Sequence, residues 1–197
     1  MSHRPTKEDI ERQDRYLIKR QQDFRHAADT VTQAFVERPE VTKVVLFGSV
    51  ARPLWREVPR FSPYRRYRIE VLHECKDVDL AVWLSTTDQL FELNRARNRA
   101  LSPLYKEMGI GVAQHQVDVF LFAPADDRYL GRLCCFSSCP KGKIDCLTPG
   151  CGDTPHLKQH EDFTLTPDAL ADDRTFGLFD RQTGIRQKAV DLPQLAL

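Results

Sequence analysis

Val41-Thr-Lys-Val-Val-Leu-Phe47, followed at once by Gly48-Ser49, is the stretch from which the rest of the chain can be laid out. A β-branched run closed by glycine and serine reads as a buried strand entering a turn. Two further runs read as strands: Asp77–Leu84 (DVDLAVWL) and Gln116–Phe122 (QVDVFLF), the latter stopping at Ala123-Pro124. Upstream, Ile10, Leu17, Phe24, Ala28, Val31 and Phe35 recur at helical spacing among charged residues. They predict an amphipathic helix of about eight turns from Lys7 to near Glu37, or two helices broken near Asp23. Thr86 and Gln89 form a capping-box pattern ahead of Leu90, Leu93, Ala96, Ala100, Leu101 and Leu104. That pattern predicts a second long helix, which Pro103 should kink or end. With a short helix expected after Gly48-Ser49, the order is helix, strand, short helix, strand, helix, strand. It predicts an α/β (α+β) fold, a mixed or parallel sheet flanked by helices, over residues 1–124. Residues 125–197 are expected to form a small cysteine-rich module and an acidic tail, with FTLTP and TFGLF as strand-like runs.

Composition excludes several classes. The 197 residues are 41% hydrophobic and 29% charged, which describes a globular chain and not a disordered one. A net charge of +1 disfavours a role coating polyanions. The segment MSHRPTKEDIERQDR lacks an apolar core of the secretory type, and no run approaches the ~18 apolar residues of a membrane span. A cytoplasmic location is the expectation. Five of the six cysteines lie between Cys134 and Cys151, a crowding that suggests metal binding more than a disulfide framework.

The chemical signal links the three strands. Asp77 and Asp79 are two apart, so strand periodicity aims both at one face. Asp118 sits in the otherwise apolar run Val117–Phe122, where an isolated carboxylate needs a cation for a partner. Carboxylates converging from neighbouring strands make a hard oxygen site suited to Mg²⁺, and two such ions suit attack by a hydroxyl with departure of pyrophosphate. Glycine at the turn lets backbone approach a phosphate, and a following helix start would supply free N–H groups.

Gly48-Ser49-Val50-Ala51-Arg52, then Asp77-Val78-Asp79, then Asp118 resembles the core of the DNA polymerase β-like nucleotidyltransferases, in particular the minimal nucleotidyltransferase branch. The resemblance covers roughly Val41 to Phe122. It implies a nucleotidyltransferase-type fold and transfer of a nucleoside monophosphate, AMP from ATP by family expectation, to an acceptor hydroxyl. It further implies that Gly48, Ser49 and Arg52 contact the triphosphate, and that Asp77, Asp79 and Asp118 bind two Mg²⁺ ions. Asp118 is implicated as a base toward the acceptor. The acceptor is a protein, an RNA or a small molecule. The branch includes antitoxins, so a HEPN-like toxin partner is one alternative, and a non-catalytic zinc-containing module binding nucleic acid or protein is another.

Two departures from the pattern stand out. Residues 50–76 place 27 positions between Ser49 and Asp77, where about ten are usual, and Pro53 replaces a common glycine. Within this insertion YRIEVL alternates like a strand, suggesting a hairpin or a lengthened second strand. Arg52, Arg56, Arg60, Arg65, Arg66, Arg68 and Lys76 face three acids there, a local +4, with Trp55, Phe61, Tyr64 and Tyr67 interleaved. Such a segment either grips single-stranded nucleic acid or is a solvated hairpin whose aromatics pack inward; the commonness of surface charge runs favours the second.

Cys139, Cys146, Cys151 and His156 follow a Cys-x6-Cys-x4-Cys-x4-His pattern, with Cys134, Cys135 and His160 nearby. These ligand types suit a closed, structural Zn²⁺ site whose metal supplies folding energy. Cys75 reads as a buried small side chain, and His26, His73 and His115 have no evident partners.

Overall fold

The computed structural model describes residues 3–136, 138–139, 151, 153–159 and 165–195. Helix α1 (Lys7–Val36) is continuous through Asp23 and opens with a capping box in which Thr6 and Asp9 bond reciprocally. Its apolar stripe, Leu17, Phe24, Ala28, Val31 and Phe35, is fully buried. Strands β1 (Val41–Phe47), β4 (Val78–Leu84) and β5 (Val117–Phe122) lie where the sequence predicted them, to within a residue at each end. Between β1 and β4 come β2 (Arg56–Glu57), the one-turn α2 (Tyr64–Tyr67) and β3 (Val71–Leu72). Helix α3 (Leu90–Met108) joins β4 to β5. The chain then adds β6 (Tyr129–Leu133), β7 (Leu157–Lys158), β8 (Phe176–Asp180) and β9 (Ile185–Arg186).

Seven of these strands form one sheet in the order β7-β6-β5-β4-β1-β8-β9, and β2 pairs with β3 apart from it. Only β4 and β5 are parallel, as the long crossover through α3 permits. The other pairings in the sheet are antiparallel. The architecture is thus mixed α/β, with a long N-terminal helix and a mostly antiparallel sheet. β5 ends at Phe122, and the strands beyond it extend the same sheet on both sides. β8 reaches back across the molecule to lie against β1.

Alternation along the strands divides the core. Val44, Leu46, Leu80, Val82, Val119 and Leu121 face α1 and α3 in the main cluster. Val45, Phe47, Ala81, Trp83, Phe120 and Phe122 form a smaller cluster on the other face, partly covered by Tyr129, Leu165 and Leu170. Among the described residues no helix is long and apolar enough to cross a membrane.

Several local expectations are corrected. No helix follows Gly48-Ser49; the backbone makes one turn, with the Arg52 amide donating to the Ser49 carbonyl at 3.4 Å, and Pro53 then withholds a donor. In YRIEVL, Tyr67 ends α2 and Arg68 takes the left-handed conformation (φ 52°), so only Val71 and Leu72 are strand. The Thr86–Gln89 box does not form: Gln89 caps α3 without a side-chain bond, and the Thr86 hydroxyl is used within its own turn, by Asp88. Helix α3 runs through Pro103 and ends at Gly109, whose left-handed conformation satisfies the last carbonyls. TFGLF contributes β8, whereas the described part of FTLTP enters a 3-10 turn at Pro167.

Candidate active site

The Gly48–Arg52 turn is positioned from below by α1. Gln21 Nε2 donates to the carbonyls of Arg52 (2.7 Å) and Ser49 (3.4 Å). Arg25, fully buried, donates to the Val50 and Arg52 carbonyls at 3.1 and 3.3 Å and to those of Leu192 and Pro193 at 2.6 and 3.1 Å. One guanidinium therefore ties the turn to the C-terminal segment. Gly48 is required twice over. Its φ of +74° suits glycine alone among common residues, and a Cβ there would strike Asp79 Oδ2.

The acids come next. β1 and β4 set Phe47 opposite Asp79, and the parallel register of β4 and β5 sets Asp79 opposite Asp118. Both lie on the sheet face away from the helices, in line with Ala81 and Phe120. Asp77, exposed, precedes β4 by one residue. Burial, followed by the charges of Asp118 and Asp77, pushes the Asp79 carboxyl up to about 7. Burial and the charge of Asp118 also raise Asp77. Such shifts mark a crowded anionic site.

Asp118, partly exposed, has a cation for a partner. Arg132 on β6 donates from Nη1 to Asp118 Oδ2 at 2.8 Å and lies 5.5 Å from the Phe120 ring centroid. Nothing in the local sequence of β6 announces this arginine, because its role depends on β6 pairing with β5. Among the described residues no three His, Cys, Asp or Glu side chains are gathered to hold a metal ion. The acids present are oxygen donors on and beside adjacent strands, and burial with the neighbouring carboxylates is what raises Asp79.

The insertion walls the site. A cleft of ≈ 540 Å³ is lined by Ser49, Lys76, Asp77 and Asp79 together with Glu57, Arg60 and His73 of the insertion. A larger cavity of ≈ 710 Å³ lies between α1 and residues 186–188, remote from the acids and mostly apolar. The insertion is anchored to α1: Asp14 accepts from the Leu72 amide (2.8 Å) and from Arg56 (2.7 Å), and Tyr64 donates to the Asp9 carbonyl. Tyr64 packs into the core with Phe61 edge-on against it, whereas Trp55, half-buried, stacks on His73. Arg52 is exposed over the Trp55 ring and does not line the cleft.

His73 has partners that the sequence did not suggest. Its Nδ1 is 2.9 Å from Glu57 Oε1, and Trp55 Nε1 donates to the other Glu57 oxygen at 3.2 Å. Cys75 is buried, and burial pushes its thiol up, which disfavours the reactive thiolate.

Of the expected zinc ligands, Cys146 lies outside the described residues, as does the alternative His160. Cys139 Sγ accepts from the His156 amide at 3.3 Å, and Cys151 bridges to Lys158 beside it. His156 is buried, with Nδ1 lacking a partner among the described residues. Buried Cys134 enters the same corner through its amide, which donates to the His156 carbonyl at 2.8 Å. Comparison of the chain with protein-family models, with curated proteins and with solved structures gave no match.

Proposed function

We propose that this protein is a metal-dependent nucleotidyltransferase of the polymerase β-like type, moving a nucleoside monophosphate, AMP from ATP by resemblance, to an acceptor hydroxyl. The observation that carries the reading is the in-register pair Asp79–Asp118, with Asp77 beside it and Gly48 pressed against Asp79. Asp77, Asp79 and Asp118 would hold Mg²⁺, which would neutralise triphosphate charge and favour loss of pyrophosphate. Ser49 and the turn amides would meet the phosphates. Among the described residues the amides of Ser49, Val50 and Ala51 donate to no backbone carbonyl outside strands and helices. Lys76 and Arg60, both lining the cleft, add positive charge where the triphosphate would lie. Arg132 places the Asp118 carboxylate. Catalysis by these groups is chiefly positioning and charge compensation.

A structural Zn²⁺ held by cysteines and His156 of residues 134–156 is part of the same reading. The buried His156 Nδ1, which has no partner among the described residues, and the thiol-directed amide support it.

The test is transfer of label from α-labelled ATP with Mg²⁺ into a lysate of the host. Label on a discrete species with the intact protein, absent with Asp77→Ala/Asp79→Ala, is the expected result. No label with any of the four nucleotides, with Mg²⁺ or Mn²⁺, refutes transferase activity and leaves a binding role.

A further inference from the structure

We propose that His73, held by Glu57, is the general base of the reaction, taking the proton of the acceptor hydroxyl. This role presupposes the nucleotidyl-transfer reading above and deepens it by naming the proton acceptor. The two residues lie 16 apart, on the β2 and β3 sides of the insertion, and both line the cleft that holds Ser49, Asp77 and Asp79. His73 is clamped. Its amide donates to the Trp55 carbonyl at 2.8 Å, and its ring stacks on the Trp55 indole with centroids 4.0 Å apart at 20°. Glu57 joins the two side chains by accepting from Trp55 Nε1 and meeting His73 Nδ1.

A carboxylate on Nδ1 fixes the tautomer in which Nδ1 carries the hydrogen and Nε2 has the free lone pair. Nε2 makes no hydrogen bond among the described residues. Asp118, the base that the family resemblance implicates, instead has Oδ2 occupied by Arg132 and does not line this cleft. The other charged groups around His73 are Arg52 over Trp55, and Arg60, Glu74, Lys76, Asp77 and Asp79 along the cleft.

In the step itself, the acceptor oxygen forms a bond to the α-phosphorus while its proton passes to His73 Nε2. The bond from that phosphorus to the bridging oxygen breaks, and pyrophosphate leaves with the electron pair. The imidazolium, paired with Glu57, then returns its proton to water.

The test uses the full chain, α-labelled ATP, Mg²⁺ and host lysate as the acceptor source, with initial rates read at about pH 8. His73→Gln should lower the rate about 10²–10⁴-fold, the range typical of a lost general base. Binding of a fluorescent ATP analogue should stay within about twofold of wild type. His73→Ala should regain activity with added imidazole, which a merely structural histidine would not show. Glu57→Gln should lower the rate in the same direction, because the ring loses the carboxylate that orients it. If His73→Gln keeps its rate and His73→Ala gains nothing from imidazole while Asp79→Asn is dead, the base assignment is overturned and the transferase reading survives. If wild type transfers no label, both fall.

Discussion

Replacing Asp79 by asparagine should make the metal-free protein more stable at pH 8 while abolishing its response to Mg²⁺. In the unfolded chain this carboxyl titrates near 3.8, and in the fold it is pushed up to about 7. The folded state therefore binds a proton that the unfolded state has lost between those values. Stability drains as pH rises from about 4 to about 7 and stays low above it. At about 1.4 kcal/mol per pH unit, the full penalty is about 4 kcal/mol. Asparagine removes the charge but still buries a polar amide, at a cost of about 1–3 kcal/mol, so a net gain of about 2 kcal/mol is expected. For a chain of this length that is about 4–8 °C in Tm. The assay is circular dichroism melting of chelator-treated wild type and Asp79→Asn at pH 5, 6, 7 and 8, with and without Mg²⁺. The difference between the two proteins should open in favour of the variant as pH rises, and Mg²⁺ should close it by stabilising wild type alone. A difference that is constant from pH 5 to 8 would refute the reasoning, because the asparagine would then be removing something other than a buried charge.

Two further outcomes are expected. Gly48→Ala should cost at least about 1–2 kcal/mol from the left-handed backbone alone. It should also eliminate label transfer, since the new methyl group displaces the Asp79 carboxylate. Purified protein should carry about one equivalent of zinc by atomic emission, and stripping it should lower Tm, because cysteine-rich segments take folding energy from their metal. A metal-free preparation with unchanged Tm would remove the zinc from the proposal.

Much of the acid constellation was legible before any coordinates. Strand periodicity aimed Asp77 and Asp79 at one face, and the charge buried in VDVFLF marked Asp118 as needing a cation. Periodicity could not say that the first cation to arrive would be Arg132. That arginine sits 14 residues on, and reaches Asp118 only because β6 folds back antiparallel on β5. His73 shows the same limit. Its sequence neighbours are unremarkable, and its significance comes from Glu57 and Trp55 across a two-residue strand pair. The short helix expected after Gly48 failed for a local reason, since Pro53 and the return toward β2 end the turn early. The corrected run around Tyr67 failed because alternation over six residues cannot distinguish a strand from a single helical turn.

Local pattern was sufficient for α1, β1, β4 and β5, because burial of one face imposes a period that the side chains must obey. It determined the sheet face that Asp79 and Asp118 take, whereas Asp77 lies one residue before β4. Which strands become neighbours is a different quantity, decided by pairing across long loops whose closure entropy grows only slowly with length. That is why β8, from near the C-terminus, lies beside β1, and why buried Arg25 on α1 joins the Gly48–Arg52 turn to Leu192 and Pro193. The acids were written into the strands, but their registry, their arginine and the wall of the cleft exist only once the sheet has closed.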